Sequence, residues 1–410
     1  MQLAFILGRT PELAKKEIEA AATILPFQWS ATIVQPDVLT LKSDSRDLSD
    51  VFHENDLLSP QFSQLREKIM NLQKRLGGTI KIVYIIKQVE KDKLSIDLQE
   101  LIRPYKTYGI TVHGDGIDPV RLGLQLKRQS SGSRRFLAPK EGRKMSSAQV
   151  IRYRLALFGD RPAGGEVVVI CQPAGYLIGV TLTVQDIDAY AKRDFHIPVP
   201  DPRSGMLTPK VAQAMLNLAV GNSAPAVYDP FCGSGRVVEE ALLMGLPAFG
   251  SDIAVGKVEA ARKNLNWIAA EYGLSLAAVP ERLIWQQDAS VLPKTELPRP
   301  FVIVTEPYLG SPLRQPLTDP EATAWQAELE KLYFAFFKMW MTVRVDRQPR
   351  KWVMVFPAVK CRDGRFQSLY RAMVDRLDEM GYSSLQVSDY GRPSSLVKRE
   401  IVVLTRRDLQ

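Results

Sequence analysis

A doubly wound, mostly parallel α/β sheet in the carboxyl-terminal half, preceded by a separate α+β module, is the architecture predicted by three observations. The first is YDPFCGSG at 228–235, where a buried-type run through Val227 and Tyr228 meets a glycine turn. The stretch after it, 236–245, has helical apolar spacing and stops at Gly245. The second is a further strand–acid–helix unit at 248–267, with Asp252 at the turn and Val258, Ala261 and Leu265 on one helical face. Strand, turn and helix repeated in this order build parallel sheets. The third is size: 410 residues with 45% hydrophobic content exceed one ordinary domain, so two or three are expected. We place the boundaries at 1–185 for the amino-terminal region, 186–206 for a linker rich in charge and proline, and 207–410 for the parallel-sheet domain.

The amino-terminal elements follow from period and punctuation. Residues 1–8 read as a strand, 11–22 as a helix, and 32–35 and 38–42 as two more strands. A helical stretch, 62–76, ends at Gly77 and Gly78; 80–86 is then a strong strand, 96–102 a helix and 108–113 a strand. Residues 119–127 read as a helix. Ser146 caps another that carries Ile151, Leu155 and Phe158 as its apolar stripe. Strands at 167–170 and 176–181, joined across a Pro-Ala-Gly turn, make a hairpin. No internal repeat is present.

The carboxyl-terminal elements locate a ligand pocket. A glycine turn between strand and helix lets the backbone approach a ligand and leaves helix N–H groups free. The spacing differs from the dinucleotide fingerprint, and no Gly-Lys-Ser/Thr follows, which argues against a phosphate-cradling loop. An acid, Asp229, opens the turn, so the ligand is better imagined as cationic or zwitterionic. S-adenosylmethionine fits. Asp252, after the second strand, is placed for ribose hydroxyls, and Asp288 suits the adenine amino group. A lone Asp is more often a turn or cap residue. Three at the ends of successive strands favour a site, with Phe231, Gly233, Gly235, Ile253 and Ala289 completing the cofactor-binding set. Later strands are expected at 301–305, 351–356, 383–387 and 400–404, with a helix at 366–380. The aromatic run 332–340 has helical spacing and reads as core.

Strand 301–305 runs into Glu306, Pro307, Tyr308, Leu309 and Gly310, the place where amino-methyltransferases carry Asp/Asn-Pro-Pro-aromatic. An ungapped alignment puts Glu306 at the acid, Tyr308 at the second proline and Leu309 at the aromatic. A shift by one makes Tyr308 the stacking ring and leaves Thr305 at the acid position. The ungapped version keeps a carboxylate at the reaction centre, so the catalytic candidates are Glu306, Pro307 and Tyr308. Residues 193–207 (RDFHIPVPDPRSGML), the following PKVAQAMLNLA, the 229–235 loop and the closing YGR…KREI motif at 390–401 together resemble the THUMP-containing tRNA (guanine-N2) methyltransferases. The branch that modifies guanine 10 is the nearest in motif. The resemblance covers about the last half of the chain. It implies a Rossmann-like class I methyltransferase sheet ending in an antiparallel hairpin and an α+β THUMP-type RNA-binding domain before it. It also implies methyl transfer from S-adenosyl-L-methionine to the exocyclic N2 of a guanine in tRNA. Which nucleotide, how many methyl groups, and whether a small activator subunit is needed stay open.

Charge is uneven. Of the net +9, the segment 121–154 supplies ten Lys and Arg against Glu141 alone. Its central part interleaves Gly and Ser, so it reads as a flexible basic loop. Arg128, Arg134, Arg135, Lys140, Arg143 and Lys144 are the candidate tRNA-contact residues. Arg392, Lys398 and Arg399 read as surface cations with equal claims to RNA contact or solvation. Cys171, Cys232 and Cys361 are scattered and the three His do not cluster, which predicts no metal site, no disulfides and a cytoplasmic setting. No run approaches the roughly 20 apolar residues of a membrane span. The start lacks the basic flank and apolar core of a signal peptide. Two other readings share the cofactor loop: a DNA amino-methyltransferase, and a catalytically silent RNA-binding protein that keeps the fold.

Overall fold

The computed structural model describes residues 1–25, 28–43, 59–130, 133–159, 161–200, 206–221, 223, 225–275, 280–392 and 394–409. Positions 201–205 of the motif segment, and Ser131 and Gly132 of the basic stretch, lie outside the described residues. The chain divides into two compact units, Met1–Asp188 and Ala189–Gln410.

The first unit contains β1 (Gln2–Leu7), α1 (Pro11–Ala21), β2 (Trp29–Gln35), β3 (Val38–Ser43), α2 (Ser63–Arg75), β4 (Thr79–Val89), α3 (Leu94–Ile102), β5 (Thr107–His113), α4 (Pro119–Gln129), β6 (Arg135–Leu137), α5 (Ser147–Arg152), β7 (Gly165–Gln172) and β8 (Gly175–Val184). The strands form one sheet in the order β2-β3-β1-β4-β8-β7-β5-β6, antiparallel except where β5 pairs with β6 and β7. Period-2 alternation sorts its side chains: Leu3, Phe5, Ile82 and Tyr84 pack with Ile18 and Ile69 of the helices, while Ala4, Ile6, Val83 and Ile85 form a second core. Inside the sheet Glu166, fully buried, accepts hydrogen bonds from Lys81, Thr111 and Thr181. A buried carboxylate is tolerated because all of these donors converge on it.

Two expectations for this unit are corrected. Helix α5 stops at Arg152, not beyond Phe158, because Arg154 takes a left-handed φ of 52° and Leu155 N–H returns to the Val150 carbonyl. That is a helix-terminating pattern; Leu155 and Phe158 are still buried, but Ile151 is exposed. The basic stretch is not wholly loop either, since Arg135–Leu137 adds to the sheet edge in parallel with β5.

The boundary falls within α6 (Ile187–Phe195), most of which belongs to the second unit and occupies part of the segment expected to be a plain linker. Arg193 of this helix is buried and donates to Glu240 at 2.7 Å. The elements are then α7 (Pro209–Val220), β9 (Ala226–Asp229), α8 (Arg236–Leu243), β10 (Ala248–Asp252), α9 (Val255–Tyr272), α10 (Pro280–Leu283), β11 (Ile284–Gln286), β12 (Phe301–Thr305), α11 (Asp319–Met341), β13 (Trp352–Lys360), β14 (Phe366–Ser368), α12 (Leu369–Glu379), β15 (Tyr382–Tyr390) and β16 (Val397–Arg406). The helix expected from 366 therefore begins three residues later, after the short β14 pairs with β13. The sheet order is β11-β10-β9-β12-β13-β16-β15. Strands β9 to β13 run parallel, and β16 is antiparallel to both its neighbours. The fold class read from sequence, mixed α/β with a Rossmann-like carboxyl-terminal sheet, is borne out. The aromatic run lies in α11 as core: Phe337 meets Tyr382, and Trp340 meets Phe301. Strand order reverses between β9 and β12, and the crevice beyond their carboxyl ends is where such sheets bind ligands.

Candidate active site

Strand β9 ends at Asp229, and the chain turns at once. Phe231 N–H donates to the Asp229 carboxylate (3.1 Å), and the Thr305 hydroxyl at the end of β12 donates to the same oxygen (2.6 Å). Asp229 is 2% exposed. Burial pushes its carboxyl up to about 7, against those two hydrogen bonds, and the nearby acids Asp252 and Glu306 push the same way. Among the described residues no Lys or Arg pairs with it. A buried carboxyl without a counter-ion suits a cation arriving from outside.

The glycine turn is built for close approach. Gly233 has φ +53°, and a Cβ there would meet no atom within 4 Å, so its missing side chain leaves open space. Gly235, at φ +100°, caps α8, and a Cβ there would press on Ala261 and Leu265 of α9 at 3.2 and 3.3 Å. Asp252, at the end of β10, accepts from Gly233 N–H (3.0 Å) through one oxygen and from Ala254 N–H (2.9 Å) through the other. Each oxygen keeps a lone pair for a ligand hydroxyl. Ile253 beside it is 65% exposed, an apolar surface at the crevice. Asp288, after β11, is exposed and accepts from Ser290 N–H at 2.8 Å, so it forms the turn that a lone Asp commonly forms; Ala289 next to it is buried. Phe231 is half-buried, edge-on to Phe336. Acids therefore stand at the carboxyl ends of three adjacent parallel strands, β9, β10 and β11.

On the other side of β9 stand the residues of the Glu306 motif. Thr305 is fully buried and its hydroxyl is committed to Asp229. Glu306 is next, with its carboxylate hydrogen-bonded to the Arg399 guanidinium of β16. Burial raises the Glu306 carboxyl, and Arg399 opposes that rise. Pro307 is buried, while Tyr308 is 45% exposed, its hydroxyl 3.0 Å from Ser311 Oγ. The Thr305 hydroxyl is thus occupied within the fold, and the Glu306 carboxylate is held by Arg399.

Arg399 is the residue the sequence misplaced. It is not a surface cation: its side chain is 15% exposed and paired with Glu306 at 17%. The one signal in the sequence was the extra methylene of Glu306 at a position where a shorter acid is usual.

In the first unit the candidate RNA contacts fall into two groups. Arg143 donates to Asp115 (2.6 Å) and to the Gly114 carbonyl (2.8 Å), and Lys144 pairs with Asp37 (2.5 Å), which also holds the buried His113. Arg134 is half-buried and donates to the Arg103 carbonyl at 3.1 Å. Arg128, Arg135 and Lys140 are exposed, and Arg135 lies 6.0 Å from the Tyr153 ring centroid. Among the described residues no group of three or more His, Cys, Asp and Glu could hold a metal ion, and no helix is long and apolar enough to cross a membrane. All three cysteines are free and buried.

Comparison with known proteins finds relatives in sequence and in fold. Residues 200–311 match the family described as RMKL-like, methyltransferase domain. A stretch of 135 residues is 32% identical to the tRNA (guanine(10)-N2)-dimethyltransferase of Pyrococcus abyssi, covering 33% of this chain and 37% of that protein. A stretch of 84 residues is 38% identical to the protein of the same description from Methanothermobacter thermautotrophicus, covering 20% and 22%. The chain thus matches between about a fifth and two fifths of the length of these curated relatives. The resemblance carried by the motifs is borne out over that stretch. In fold, the chain is similar to TrmN from Thermus thermophilus, with TM-score 0.53 and 16% identity over 99% of each chain.

Proposed function

We propose that this chain is an S-adenosylmethionine-dependent RNA methyltransferase that modifies the exocyclic N2 of a guanine in tRNA. The observation that carries the reading is the row of acids at Asp229, Asp252 and Asp288, with Glu306 on the neighbouring strand beyond the switch point. The residues present fit the cofactor. Asp229 would take its ammonium, Asp252 its ribose hydroxyls and Asp288 its adenine amino group, with Ile253 against the ring and Gly233 leaving room. When bound, S-adenosylmethionine supplies an electrophilic methyl group.

The chain's own task is to make a poor nucleophile react. The lone pair of the guanine amine is delocalised into the ring. Glu306 and the main-chain carbonyl before Pro307 would accept its N–H bonds, and Glu306 would take the proton released. The base must leave its stack to reach the crevice, and Tyr308 is the exposed ring against which it would rest. The likeness to tRNA (guanine(10)-N2)-dimethyltransferases over the matched stretch supports this substrate.

The first unit would grip tRNA as a THUMP-like module, through phosphates and shape. Neutralising Arg128, Arg135 and Lys140 together is expected to lower tRNA affinity and flatten its salt dependence by close to one unit per lost phosphate contact. Arg143 and Lys144, with acids already beside them, are expected to matter less. Binding isotherms at several salt concentrations measure both.

A silent cofactor-binding protein is the second reading, favoured by the Glu306–Arg399 ion pair, which engages the acceptor. Transfer of labelled methyl groups to tRNA, to duplex DNA and to buffer alone separates the readings. Label in tRNA alone is expected; label in DNA supports the DNA enzyme, and label in neither supports the silent protein.

A further inference from the structure

We infer that Arg399 is a positioning residue for Glu306, holding the carboxylate of the longer acid in place; this rests on the proposed methyl transfer at Glu306. The two residues stand 93 apart in sequence, so their meeting is a product of the sheet. Strand β16 runs antiparallel to β13, with Arg399 opposite Pro357, and its guanidinium reaches the carboxylate at the end of β12.

Two problems follow from glutamate at this position, and Arg399 answers both. An extra methylene adds a rotatable bond, and an acceptor that swings cannot hold the amine in line with a methyl group. A hydrogen bond from the guanidinium fixes the carboxylate's position. Burial, in turn, favours the neutral acid, which would offer a proton to the guanine amine where an acceptor is needed. Among the described residues, the charged and titratable groups facing Glu306 are Asp229 at the end of β9, Tyr333 on α11 and Arg399 on β16. Asp229 adds repulsion and Tyr333 no cation, so Arg399 alone of these three favours the charged form.

The test compares the full-length parent with Arg399→Met and Arg399→Lys, after thermal melting shows which are folded. In Arg399→Met, turnover on tRNA at pH 7 is expected to fall on the order of 10²-fold and to recover as pH rises, the acid limb having moved upward. Arg399→Lys, which keeps the charge, is expected to keep the parental limb with a smaller loss of kcat, because one ammonium orients less well than a guanidinium. S-adenosylmethionine affinity is expected to be unchanged in both.

Carboxyl-carbon NMR of labelled glutamate supplies a readout that needs no turnover, with Glu306→Gln assigning the signal. Glu306 is expected to titrate at higher pH in Arg399→Met than in the parent. An unmoved titration, or a pH-independent loss of activity in a folded Arg399→Met, would overturn the inference. A parent that labels no RNA while its Glu306 signal does move would instead overturn the proposed reaction.

Discussion

Glu306→Gln is expected to lower methyl transfer to tRNA by about 10²-fold or more while leaving S-adenosylmethionine affinity unchanged. The amide keeps an oxygen that can accept one N–H bond but loses the charge that stabilises positive charge growing on the guanine amine. It also loses the ability to take the proton. Arg399 would face a neutral partner in place of a carboxylate, so part of any change in stability belongs to the lost ion pair. Melting curves beside the kinetics separate the two effects. Glu306→Asp is the informative companion. It restores the usual acid but retracts the carboxylate from Arg399, so activity depends on whether Pro307 and Tyr308 alone can place it. Turnover equal to the parent in Glu306→Gln would remove Glu306 from the chemistry.

Asp229→Asn is expected to move affinity and stability in opposite directions. Affinity for S-adenosylmethionine should weaken by roughly 10- to 100-fold, through loss of a charge-assisted hydrogen bond worth about 1.5–3 kcal/mol. Stability should rise at alkaline pH. Burial pushes the native carboxyl up to about 7, whereas in the unfolded chain it returns to the ordinary value of 3.8. Between those two values the folded protein binds a proton that the unfolded one does not. Stability therefore falls as pH rises through that window, and above it the fold carries a buried anion. Asparagine removes that burden, by an amount on the order of a few kcal/mol. The same linkage acts on the ligand. Below pH 7 the parent must release a proton to receive the ammonium, so its affinity should fall as the solution is acidified, and that of Asp229→Asn should not. Calorimetry in buffers of different ionisation enthalpy counts the proton. An unchanged affinity in Asp229→Asn would take Asp229 out of the site.

What was legible in the sequence was local. The change from period 2 to period 3.6 around 228–236, with Gly233 and Gly235 between, announces a strand, a turn and a helix, and β9 and α8 stand there. Acids at 229, 252 and 288 could be placed at strand ends because the strands themselves could be found. The aromatic spacing of 332–340 marked core, and Phe336, Phe337 and Trp340 are buried in α11.

What was missed depends on partners far away in the chain or on backbone detail. Arg399 looked like any exposed cation until β16 folded against β13. Arg193 looked like part of a linker until Glu240 met it from α8. Arg135 reads as loop in a run of Gly and Ser, yet three residues of pairing with β5 are enough to make an edge strand. The end of α5 turns on a left-handed Arg154, a conformation no residue preference at Arg would suggest.

Mass spectrometry of the nucleosides of tRNA treated with the purified protein and methyl-labelled S-adenosylmethionine tests the central claim most directly. The account predicts label in N2-methylguanosine or its dimethyl form, lost with Glu306→Gln and diminished with Asp229→Asn at limiting cofactor. Label on any other atom, or none on tRNA that lacks the modification beforehand, would contradict it.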